Sequence, residues 1–121
     1  MQQVAEGVLG GKVDASFVPT DNIIASSIPT LMAVANKEKI PVYGAEVGHV
    51  KSGVLASESI SFYDIGHRAG EMAAEILKVN KKVKDFPVEG ADKSKLYINK
   101  AEMETLGITI PQSVLDRAEM M

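Results

Sequence analysis

A chain of 121 residues, 45% hydrophobic and 24% charged, has the size and composition of one globular domain with a single core. Its net charge of -3, with no basic stripe interleaved with aromatics, argues against a nucleic-acid partner, and the lack of cysteine excludes disulfides, thiolate catalysis and Cys-based metal sites. The apolar runs fall far short of the ~20 residues of a membrane span, and Met1 to Ala5 shows no basic region leading into an apolar one, so no secretion signal is expected in this chain.

Val4 to Gly10 reads as the end of a helix stopped by Gly10-Gly11, and Asp14 to Val18 as a short buried strand ended by Pro19. Thr20-Asp21-Asn22 then forms a loop that caps a helix from about Asn22 to Lys39, with Ile24, Ile28, Leu31, Met32 and Ala35 on one apolar face. Pro29 inside it removes one backbone bond and is expected to kink or restart the helix. Ile40 to Gly44 reads as a second strand and Glu46 to Ser52 as a loop or single turn. A third strand starts at Gly53 and ends near Ile60.

Ser61 with Asp64 resembles a capping box, which opens a helix over Phe62 to Val79. Ile65, Ala69, Met72, Ala73 and Ile76 form its apolar face. Gly66 and Gly70, four apart on one side, predict close packing of that helix on a sheet. Asn80 to Lys95 reads as a polar loop, and the four lysines from Lys78 to Lys84 as a solvated helix end. Leu96 to Asn99 reads as a fourth strand, Lys100 to Leu106 as a short helix stopped by Gly107, and Gln112 to Met120 as a last helix.

Short apolar strands alternating with amphipathic helices imply an α/β fold with a parallel sheet covered by helices on both faces. In such sheets ligands bind beyond the carboxyl ends of the strands. That rule selects Thr20-Asp21-Asn22, Ala45-Glu46-Val47 and the stretch from Ser59 to Tyr63. Asp21 and Glu46 can meet a ligand cation, Thr20 and Asn22 can donate or accept, and Tyr63 offers a flat apolar face with a hydroxyl. Each has a plainer role as well: Asp21 and Asn22 as a helix cap, Glu46 as a solvated carboxylate, Tyr63 as packing. His49 and His67 lie without metal-ligand spacing, and His67 falls on the solvent side of its helix. No nucleophile elbow, dinucleotide fingerprint or phosphate loop occurs, so no catalytic residues and no cofactor are expected.

Several runs, in order along nearly the whole chain, resemble the substrate-binding proteins of ABC transporters, in particular tryptophan and tyrosine binders. They are Val13-Asp14-Ala15 through Val18-Pro19-Thr20-Asp21-Asn22; Lys39-Ile40-Pro41-Val42-Tyr43-Gly44; Gly53 to Ser57; Tyr63-Asp64-Ile65-Gly66; Gly70 to Leu77; Leu96-Tyr97-Ile98-Asn99; and Leu106 to Pro111. The resemblance implies a two-lobed periplasmic-binding-protein-like fold of flavodoxin-like lobes, of which this chain is the C-terminal portion. Residues 1–53 would belong to the C-terminal lobe, 54–93 to a return segment of the N-terminal lobe, and 94–121 to the final crossing. It also implies a small-molecule solute, such as an amino acid, held in a cleft between lobes, an ABC permease as partner and an extracytoplasmic location. A part of such a protein is expected to form homo-oligomers through surfaces left uncovered. The composition leaves a second reading, a regulatory or flavodoxin/receiver-like α/β module.

Overall fold

The computed structural model describes residues 2–11, 13–91 and 93–121. Their contacts separate two compact units, residues 1–59 with 95–121, and residues 60–94. The elements are α1 (Gln2–Leu9), β1 (Ser16–Val18), α2 (Asn22–Lys37), β2 (Val42–Gly44), α3 (Val47–Lys51), β3 (Ala56–Ile60), α4 (Phe62–Val79), a 3-10 turn (Val83–Asp85), β4 (Ser94–Ile98), α5 (Lys100–Leu106), α6 (Gln112–Leu115) and β5 (Ala118–Met120).

In the first unit the strands stand in the order β1-β2-β3-β4-β5. The pairs β1–β2, β2–β3 and β4–β5 are parallel, with Val18 opposite Gly44, Gly44 opposite Ser57 and Ile98 opposite Met120. Strand alternation sends Val18 and Val42 to one face, where they join Ala5 and Leu9 of α1 and Ile28, Leu31, Met32 and Ala35 of α2 in one core. A second core gathers Leu55, Ala56, Leu96 and Ile98 under Met103 and Leu106 of α5 and Val114 and Leu115 of α6. The cover over β1 and β2 is one-sided: Phe17 and Tyr43, on the opposite face, are 64% and 41% exposed. They line an apolar groove of about 730 Å³ together with Ala56, Leu96, Ile108 and Ile110.

Two expectations are refined here. Helix α2 does not restart at Pro29 but continues through it, and the Ser26 and Ser27 hydroxyls donate to the Ile23 carbonyl one turn earlier. The expected last helix stops at Leu115, and Ala118–Met120 instead forms β5 beside β4. The Met121 amide donates to the Ile98 carbonyl and the Lys100 amide to the Met121 carbonyl, so the chain end extends the sheet.

In the second unit, Ser61 caps α4 by accepting from the Asp64 amide at 3.1 Å. Arg68 grips Glu89 through two bonds, from Nε at 2.6 Å and Nη2 at 2.7 Å, which ties the helix to the following loop. This contact holds the Glu89 carboxyl below its usual titration range. Lys81 reaches Glu75 and stands over the Phe86 ring at 4.2 Å. The close packing expected at Gly66 and Gly70 is not what those positions show, since a Cβ at either would meet nothing within 4 Å.

Candidate functional site

Parallel pairing decides which loops meet. Because β1 and β2 run side by side in the same direction, the segments that follow them leave the sheet at one edge. The Ala45 amide donates to the Val18 carbonyl at 3.1 Å and locks the two strand ends together. Strand β3 ends at the same edge, where Ser59 Oγ accepts from the Val47 amide at 3.0 Å.

Asp21 occupies the N-cap of α2, with extended backbone, and its Oδ1 accepts from the amides of Ile23 at 2.8 Å and Ile24 at 3.0 Å. That is the capping role foreseen for it, and it fixes the carboxylate at the mouth of the helix. Thr20 and Asn22 flank it and are exposed. Glu46 follows β2 directly and is the N-cap residue of α3, but its side chain makes no cap hydrogen bond. Its Oε1 lies 3.1 Å from Nε2 of His49, one turn later; the His49 side chain is 1% exposed and that of Glu46 is 21% exposed.

Four of the five candidate residues, Thr20, Asp21, Asn22 and Glu46, therefore follow β1 or β2 at one end of the sheet of one unit, Asn22 as the first residue of α2. Tyr63 belongs to the other unit, where it is 78% exposed on α4 with its ring 6.2 Å from that of His67. Ser59, in the stretch selected from the sequence, stands on β3, and His49, expected only to lie without metal-ligand spacing, meets Glu46 instead. His49 follows Glu46 by three residues, a spacing that brings side chains together on a helix. Among the described residues no group of three or more His, Cys, Asp or Glu could hold a metal ion, and no helix is long and apolar enough to cross a membrane.

Known proteins resemble this chain along most of its length. A tyrosine-binding protein of Clostridioides difficile (strain R20291) is 44% identical over 98 residues, which are 81% of this chain and 28% of that protein. The structure of an ABC domain in complex with L-Trp from Streptococcus pneumonia superposes with a TM-score of 0.84 at 39% identity, over 98% of this chain and 40% of that one. A conserved domain protein from Vibrio cholerae O1 biovar eltor gives 0.84 at 37% identity, over 98% and 40%. The ligand-free, open structure of a substrate binding protein with adhesive properties from Clostridium difficile gives 0.76 at 35% identity, over 99% and 39%. The chain thus spans well under half the length of these relatives. Their fold agrees with the parallel α/β sheet expected from the sequence. The family model for the ABC transporter substrate binding protein matches residues 1–121, and the chain belongs to that family.

Proposed function

We propose that this chain supplies one wall of the solute site of an ABC importer's binding protein, and that the solute is an amino acid or a similar zwitterion. The observation that carries the reading is the common edge onto which β1 and β2 deliver Asp21 and Glu46. Two carboxylates there suit a ligand ammonium, while Thr20, Asn22 and backbone amides suit its carboxylate. The tyrosine binder and the L-Trp complex among the relatives support the solute class. In this reading residues 1–53, 54–93 and 94–121 follow the two-lobe division, and the receptor works outside the cytoplasm with a permease as partner. Family members of this kind bind and release solute without catalysis, and no cofactor is assigned.

The test is calorimetry of the binding protein with both lobes present, titrated with L-tyrosine and L-tryptophan. Asp21→Asn keeps an oxygen to cap α2 and removes the charge; Glu46→Gln removes the charge at the second position. Each should weaken binding about tenfold, as expected for loss of one charge-assisted contact. Unchanged affinity in both variants, or no binding of either amino acid, counts against the reading.

The exposed Phe17 and Tyr43 face also favours self-association of the 121-residue chain. Light scattering after size exclusion should show a dimer or larger species, and Phe17→Ser should shift it toward monomer. A monomer at all concentrations tested would remove this part of the proposal.

A further inference from the structure

We propose that His49 is a positioning residue that fixes the Glu46 carboxylate at the end of β2; its importance for ligand rests on the reading of Glu46 given above. Glu46 has the extended backbone of a helix cap, φ -146° and ψ 159°, yet its side chain leaves the helix amides alone. The Val47 amide, the first of the helix, is satisfied by Ser59 Oγ, reaching across from β3. The Glu46 carboxylate makes no capping bond and lies with Oε1 3.1 Å from His49 Nε2.

His49 occupies a slot that exists because residue 44 has no Cβ. A Cβ on Gly44 would fall 2.6 Å from His49 Cβ and 3.0 Å from its Nδ1. The ring is 1% exposed and neither nitrogen has a hydrogen-bond partner among the described residues. The Glu46 carboxylate is therefore the polar group that stands within reach of this buried imidazole, at a distance of 3.1 Å. Reciprocally, the immobile ring gives the carboxylate one preferred place, while its partial exposure leaves it within reach of a solute. A histidine that merely filled space would not need the carboxylate.

NMR of the side-chain nitrogens in the 121-residue chain separates these roles without a ligand. Glu46→Gln should move the His49 ring resonances, because the carboxylate stands 3.1 Å from Nε2. His67, exposed on α4 and 3.5 Å from Glu71, is the internal control and should not move. His49 resonances left in place by Glu46→Gln overturn the proposal. Calorimetry with L-tyrosine and L-tryptophan supplies the second arm. His49→Gln should weaken binding severalfold, and the Glu46→Gln/His49→Gln pair should be no weaker than Glu46→Gln alone. If Glu46→Gln weakens binding and His49→Gln does not, His49 positions nothing and the site reading survives. If the NMR coupling is present but Glu46→Gln leaves affinity unchanged, the positioning contact stands and the site reading fails. Should His49→Gln not fold, the Glu46→Gln spectrum decides the matter alone.

Discussion

Gly44→Ala should lower the unfolding free energy by about 3 kcal/mol, the upper range for forcing one extra carbon into a packed site. The added Cβ would stand 2.6 Å from His49 Cβ, 3.0 Å from Nδ1 and 3.1 Å from Cγ, distances that side chains do not tolerate. The ring cannot swing aside easily, because it is buried and α3 is tied at both ends. The Val47 amide is bonded to Ser59, and the Ser52 and Val54 amides both donate to the His49 carbonyl. Gly44 is not among the residues with positive φ, so alanine meets no backbone penalty there and the cost is steric. That distinction has a consequence: in a His49→Gly background the same substitution should cost little, since the obstructing Cβ and ring are both gone. Urea unfolding of both single variants and the double variant gives the coupling energy. Strict additivity would show that the close approach of Gly44 to His49 is not what sets the requirement for glycine.

The same pair shows where the sequence stops being legible. Local chemistry read well: the limits of α4 and α5 coincide with the expected ones, and the caps Asp21 and Ser61, together with Gly107 at φ +68°, terminate their helices. The shared edge of Thr20, Asp21, Asn22 and Glu46 also followed, since parallel β-α units place successive loops at one end of a sheet. What did not follow depends on residues distant in the chain. Ala118-Glu119-Met120 carries no β-branched residue and continues a helical spacing of apolar positions; it becomes a strand because Leu96, Tyr97 and Ile98 offer it a free edge. Gly66 and Gly70 suggested close packing by spacing alone, and open space surrounds them. The burial of His49 is not legible locally, because it depends on a missing Cβ in the neighbouring strand.

A second buried polar group yields the other large effect. Glu102→Gln should stabilise the chain by about 1–2 kcal/mol at neutral pH, the scale of relieving a poorly satisfied buried group. Glu102 is 6% exposed on α5, and burial pushes its carboxyl titration up, with the Asn36 hydrogen bond and the Lys39 charge acting the other way. Asn36 Nδ2 donates to Oε2 at 3.2 Å, while Glu102 Oε1 and Asn36 Oδ1 are both buried without a partner. A charged carboxylate can only accept and leaves Asn36 Oδ1 unanswered; glutamine brings an N–H donor and no charge. The pH dependence has a definite sign. With the folded value raised, the native state binds the proton more tightly than the unfolded chain does, so stability is fully present below the unfolded value. It declines as pH rises through the folded one. Other carboxyls, Glu89 among them, pull in the opposite direction, which makes the difference between the two proteins the informative quantity. Urea unfolding at steps from about pH 4 to 8 should show the glutamine variant gaining on the wild type as pH rises, with a plateau above the Glu102 titration. A constant difference across that range would mean that Glu102 titrates alike in the folded and unfolded chain, with Asn36 and Lys39 balancing its burial.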